Sequence, residues 1–243
     1  MSNETDQRPL LLLSATIRVP EQMIFAHLRD QNAREKQYRI SLDFWQKYSE
    51  EFRIVVVENS NTRLDHGAIE SGRLEYYTYE GNTFDCQLGK GKGEMEIMRY
   101  LFSQVKLPAD QIVIKMTGRQ YVKNIGQIVE LYRRSNPYIM CNLVKSLSRA
   151  EPKLIISARA FLTDYLLGFD GVLDDSTGVC FEDVLQRAVI KAIGEGKTHE
   201  FFPVFPQIRS AKVKGDTVRE SVLSETKKRI KARVRHRLLM GGN

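Results

Sequence analysis

Short apolar runs recur along the chain, each closed by a polar turn, and between them the apolar positions change to helical spacing. Leu10 to Thr16 (LLLLSAT) reads as a buried first strand. Phe52 to Val57 (FRIVVV) is β-branched, which predicts a central parallel strand. It stops at the polar turn Glu58-Asn59-Ser60-Asn61. Leu74 to Tyr79 is a third strand, and Ile112 to Met116, stopped by Thr117-Gly118, is a fourth. Tyr138 to Asn142 and Leu154 to Ile156 give weaker strand signals. Helical spacing runs through Glu35 to Glu50 (Tyr38, Leu42, Phe44, Trp45, Tyr48), Glu94 to Val105 (Met95, Ile97, Met98, Leu101, Phe102) and Phe181 to Ile193. The glycine-lysine segment Gly89 to Gly93 predicts an irregular loop. This alternation predicts an α/β fold: one mostly parallel sheet flanked by helices on both faces.

The polar start, residues 1–9, is expected to be disordered, and residues 10–206 form the predicted domain. Pro203 and Pro206 mark a break. Beyond it, in residues 207–243, Val222, Leu223, Ile230, Val234, Leu238 and Leu239 punctuate charge at roughly helical spacing, which predicts a basic amphipathic tail. The length of 243 residues suits one sizeable domain, and 42% hydrophobic with 28% charged residues excludes global disorder. Cys86, Cys141 and Cys180 are scattered, which argues against a zinc site or disulfide framework and fits a reducing compartment. The apolar run at Leu10–Leu13 is too short for a signal-peptide core or a membrane span, so the expected location is cytoplasmic.

The net charge of +7 is unevenly placed. From Arg209 to Arg237 eleven basic residues face three acidic ones, a local excess of +8, so the remainder is close to neutral. Such a tail suits an anionic membrane surface at the inner face, a solvated helix packed on the domain, or a disordered basic end.

In an open parallel sheet, ligands bind outside the carboxyl ends of the strands. Three polar clusters follow strands here: Ser14-Ala15-Thr16 with Arg18 beyond it, Glu58-Asn59-Ser60-Asn61, and Thr117-Gly118-Arg119. These turns are expected to converge on one cleft. Glu58 and Asn59 could hydrogen-bond a ribose or base, or simply form an Asx turn. Arg119 could clamp a diphosphate bidentately, with Lys115 of the preceding strand facing the same cleft; a surface ion pair is the alternative. Gly89-Lys90-Gly91-Lys92-Gly93-Glu94 precedes a helix, where glycines admit a phosphate and lysines neutralise it. It matches neither GxxxxGK[ST] nor GxGxxG. Glu182-Asp183 opens a helix, as a general base would or as acidic residues do for dipole reasons alone. The histidines, His27, His66, His199 and His236, show no ligand spacing.

The order of these landmarks resembles that of GT-A-fold glycosyltransferases, especially bacterial enzymes of lipopolysaccharide or capsule synthesis. IVVVENS (Ile54–Ser60) resembles the strand whose polar end holds the nucleoside, and GKGKGEMEIMRYLF resembles the segment under the nucleotide. IKMTGRQYVKN occupies the place of the metal-binding Asp-x-Asp motif, and FEDVLQR resembles the Glu-Asp that supplies the base in inverting members. The resemblance covers roughly residues 10–205. It implies sugar transfer from a nucleotide-sugar donor to a glycan or lipid-linked acceptor. Thr16, Arg18, Glu58, Asn59, Ser60, Lys90, Lys92, Glu94, Lys115, Thr117 and Arg119 would bind the donor, and Asp183 with Glu182 would supply the base. Thr117-Gly118-Arg119 departs from the family: it has no carboxylate to hold manganese or magnesium, so no metal residue is assigned. Either Arg119 and the lysines replace the cation's charge, or the metal binds elsewhere, with Asp174-Asp175 as late substitutes.

Two other classes remain. A nucleic-acid-binding protein would use the tail charge, but the near-neutral remainder shows no RNP aromatics or helix-turn-helix pattern, so no nucleic acid is expected. A methyltransferase or nucleotidyltransferase would want a glycine-rich turn after the first strand, and Ser14-Ala15-Thr16-Ile17 has none.

Overall fold

The structure is a computed structural model that describes residues 6–26, 28–144 and 147–210. Its centre is a seven-stranded sheet. β1 (Leu10–Ala15), β2 (Arg53–Glu58), β3 (Glu75–Thr78) and β4 (Ile112–Thr117) are parallel. Beyond β4 the sheet continues through β9 (Leu154–Ala158), β6 (Ile139–Met140) and β10 (His199–Glu200) in the order 10-6-9-4-1-2-3. Only β9 runs antiparallel to its neighbours in this sheet. β5 (Gln120–Val122) pairs antiparallel with β11 (Ile208–Ser210), and β7 (Leu143–Val144) with β8 (Arg149–Ala150).

β1 is buried along its whole length because both faces are covered. The two-residue period of a strand then splits its leucines between two cores. Leu10 and Leu12 join Val55, Val57 and Val113 under α3 (Lys90–Gln104) and α5 (Phe181–Gly194). Leu11 and Leu13 join Ile54, Val56, Ile114 and Met116 under α1 (Gln31–Trp45) and α4 (Ile125–Ser135). The short α2 (Gly67–Glu70) adds Ala68 to the second core, and a π-helical turn at Phe161–Leu166 adds Phe161 and Leu162 to the first.

α1 begins where the Asp30 side chain accepts the Ala33 amide at 2.6 Å, four residues before the predicted helix start. α3 also starts early. The segment Gly89 to Gly93, expected to be a loop, is the first turn of α3 from Lys90 onward. Its glycines serve packing: a Cβ on Gly91 would lie 3.1 Å from the Phe181 side chain, and one on Gly93 would lie 3.2 Å from Asn59 Nδ2. Of the expected basic tail, Ile208–Ser210 is a strand, and residues 211–243 lie outside the described residues. Residues 1–5 also lie outside them, while Pro9 accepts the Arg53 amide at 3.0 Å at the entry to the sheet.

Candidate functional site

From β1 the chain moves outward through β2 and β3, then returns to β4 on the other side of β1. The carboxyl ends of β1 and β4 therefore flank a topological switch point, the general ligand position of open α/β sheets. The strand ends are tied together there. The Gly118 amide donates to Ser14 O at 2.8 Å, and the Asn59 amide donates to Ala15 O at 3.1 Å. A Cβ on Gly118 would lie 3.0 Å from Ser14 O, so the crossing needs glycine.

Glu58 organises this edge. Its carboxylate, 0% exposed, accepts from the amides of Ile17 (2.9 Å), Ser60 (3.0 Å) and Thr62 (2.8 Å) and from the hydroxyls of Thr78 (3.0 Å) and Ser60. These internal donors give Glu58 a structural role at the strand ends, in contrast to the nucleoside contact expected of it. Ser60 has a similar structural role, since its hydroxyl accepts the Arg18 amide at 2.9 Å. The Arg18 guanidinium bonds Thr62 Oγ1 at 2.8 Å and Asn61 O at 3.3 Å, tying the loop after β1 to the turn after β2. Asn59 differs: Thr16 donates to its Oδ1 at 2.6 Å, but its buried Nδ2 donates to nothing among the described residues.

On the α1 side two guanidinium groups are held by adjacent residues of that helix, Arg119 by Gln37 and Arg34 by Tyr38. Arg34 is 7% exposed and donates to neutral acceptors: Thr16 O at 2.6 Å, Leu28 O at 3.0 Å and Tyr38 Oη at 3.4 Å. Arg119 donates to Gln37 Oε1 at 2.8 Å, and its buried Nε has no acceptor among the described residues. Among the described residues neither forms an ion pair. Thr117 closes β4 beside Ser14 of β1.

On the α3 side Lys115, 2% exposed, forms an ion pair with Glu94 at 2.6 Å, and its ammonium lies 4.9 Å from the Phe181 ring centroid. Burial pushes the Glu94 carboxyl up, but the Lys115 ammonium outweighs it and leaves the group below its ordinary value. Of the expected phosphate lysines, Lys92 is held in ion pairs with Asp170 at 2.6 Å and Glu96 at 3.1 Å, and Lys90 is exposed at the start of α3. The helix start is occupied by the protein's own carboxylate. Asp175 lies so close to Gly89, whose φ is +80°, that a Cβ there would overlap it.

The Glu182-Asp183 pair divides. Asp183 accepts the Cys180 amide at 3.0 Å and pairs with Arg149 at 3.1 Å. Burial raises its pKa, but the bonds from Arg149 and Cys180 prevail and hold it at about 2. A carboxylate so stabilised is a weak base. Glu182 forms no ion pair among the described residues.

The Asp-x-Asp position therefore does not fit a divalent cation: Thr117, Gly118 and Arg119 offer no carboxylate, and Arg119 brings positive charge there. Asp174 is engaged by the Ser176 amide at 2.9 Å, and no cluster of three metal-ligating side chains occurs among the described residues.

Arg34, Gln37 and Tyr38 are absent from the residues expected at the site. Of the three only Tyr38 was among the helical positions read from the sequence; Arg34 lies just before the predicted start at Glu35, and an arginine gives no sign that its helix packs on a strand end.

The architecture is a Rossmann-like, mostly parallel sheet of the GT-A and nucleotidyltransferase type. One solved structure shares this fold, and others are similar over much of the chain. A nucleoside-diphosphate-sugar pyrophosphorylase from Vibrio cholerae RC9 matches 90% of this chain and 98% of its own, at 10% identity and a TM-score of 0.51. A putative nucleotide-diphospho-sugar transferase from Desulfovibrio desulfuricans G20 matches over 94% and 97%, at 13% identity and a TM-score of 0.49. S. aureus TarS 1-349 in complex with UDP-GlcNAc matches over 88% of this chain and 62% of its own, at 12% identity and a TM-score of 0.49. Without that ligand, the match spans 48% of the TarS segment. No protein-family model matches the chain, and a search of curated protein sequences finds no match. No helix among the described residues is long and apolar enough to cross a membrane.

Proposed function

We propose that the chain is a glycosyltransferase that moves a sugar from a nucleotide-sugar donor to a hydroxyl of a glycan or lipid-linked acceptor in surface polysaccharide synthesis. One observation supports the donor site above the others. The ends of β1, β2 and β4 are braced into a rigid rim, with the buried Asn59 Nδ2 left without an acceptor. A buried amide N–H₂ lacking a partner costs about 1–3 kcal/mol, which a ligand acceptor would remove. The loop after β1 favours this reading over nucleotidyl transfer. Residues 16–30 contain no glycine, and Arg18 is held by Thr62 and Asn61.

In this reading the Arg119 side takes the diphosphate, whose developing charge positive groups stabilise as it leaves. If the reaction inverts, the acceptor hydroxyl gives its proton to Glu182, because Asp183 is held by Arg149 and its own helix start. The tail expected to reach an anionic membrane lies outside the described residues. A thermal-shift screen of the full chain against UDP, GDP, CMP and TDP and their sugar conjugates tests the reading, since ligand binding to the folded state raises the melting temperature. A shift with one base and a larger shift with its sugar conjugate is expected; no shift with any of them ends the proposal.

A further inference from the structure

We propose that the Arg34 and Arg119 guanidinium groups together bind a diphosphate directly, in place of a carboxylate-held divalent cation. The inference rests on the donor reading above and names the chemistry of that site. Two cations close together without a counter-ion are unfavourable unless something anionic visits them. Here Arg34 is nine-tenths buried, and its hydrogen bonds to Thr16, Leu28 and Tyr38 all go to neutral oxygens. Glu58, the carboxylate whose field reaches it, is saturated by its own donors. Burial depresses the Arg34 pKa, and the Arg119 charge adds to the depression. Arg119 is anchored through one terminal nitrogen to Gln37, while its Nε lies buried without an acceptor among the described residues.

Both groups are fixed at the switch point. Arg34 binds the carbonyl of Thr16, just past β1, and Arg119 follows Gly118, whose amide binds Ser14 O. The planar fork of a guanidinium matches phosphate oxygens and stays charged at every physiological pH. The position implied for Asp-x-Asp by the family resemblance thus carries the opposite charge, and the cation's role passes to side chains.

The test is titration calorimetry of the full chain with inorganic pyrophosphate and with UDP, in EDTA and again in manganese. Pyrophosphate is expected to bind in EDTA, and Arg119→Gln to weaken it about tenfold or more, the loss of one charged hydrogen-bonding group. Arg34→Lys, which keeps charge but loses the fork, is expected to weaken it less; its circular dichroism reports whether the buried site still folds. Binding that requires manganese, or that Arg119→Gln leaves unchanged, overturns the inference. Nucleotide-sugar binding that needs manganese and ignores Arg119→Gln leaves the transferase reading intact. Pyrophosphate binding at the arginines with no response to any nucleotide sugar does the reverse.

Discussion

Replacing Glu58 by glutamine separates a residue that organises the site from one that contacts a ligand. In the native protein three backbone amides and two hydroxyls converge on its two oxygens. If the glutamine nitrogen replaces Oε2, the Thr62 amide, now 2.8 Å from that oxygen, faces a donor; if it replaces Oε1, the Ile17 amide at 2.9 Å does. The two hydroxyls can rotate to accept, but a backbone amide cannot. One buried amide left unsatisfied costs about 1–3 kcal/mol, and the glutamine N–H meeting it adds a similar cost. The expected loss is therefore about 3 kcal/mol, a large share of the roughly 5–15 kcal/mol that holds a domain folded. The chain has one tryptophan, Trp45, fully buried at the end of α1, so urea unfolding can be followed by its fluorescence. A midpoint shift with an unchanged denaturant slope would report this loss. A loss under about 1 kcal/mol accompanied by abolished nucleotide binding would refute the reasoning and make Glu58 a ligand contact.

Three further outcomes follow from the same geometry. Asp183→Asn should destabilise by about 1 kcal/mol at pH 7, through a partly exposed ion pair and a lost helix-start acceptor. Because the folded pKa of about 2 lies below the ordinary value of 3.8, that contribution is present above about pH 4 and fades as pH falls toward 2, so wild type and variant should converge there in urea titrations across pH. Lys115→Met leaves the Glu94 carboxylate without its buried partner and should cost about 3–5 kcal/mol, with much of the loss recovered in Lys115→Met/Glu94→Leu; additive losses in that cycle would contradict a coupled pair. Gly89→Ala forces a side chain into a φ of +80° and against Asp175, so its melting temperature should fall by more than that of Gly126→Ala, where a Cβ meets nothing.

The elements with both faces buried were the most legible. β1 and β2 announce themselves as unbroken apolar runs because each must fill two cores, and their predicted bounds lie within a residue of those observed. β5, β10 and β11 are two or three residues long and partly exposed, too short to leave a periodic trace. The glycine-lysine segment misled because local flexibility and close packing use the same residue; only Phe181 and Asn59, distant in sequence, show which applies. The strand-end clusters were located correctly by alternation, yet their roles were not readable. Glu58 and Lys92 have the residue types of ligand contacts and are consumed by internal partners, while Arg34 reaches the site from a helix that gave no chemical signal.

The central claim concerns where a nucleotide sugar sits, and a crystal structure of the full chain with a nucleoside diphosphate reports this directly. The account predicts the diphosphate against Arg119 and Arg34, with a ligand acceptor facing Asn59 Nδ2 at the end of β2. Ligand density at the amino ends of β1 and β2, in the hollow of about 370 Å³ lined by Arg8, Glu50, Phe52 and Arg133, with the switch point empty, would contradict it.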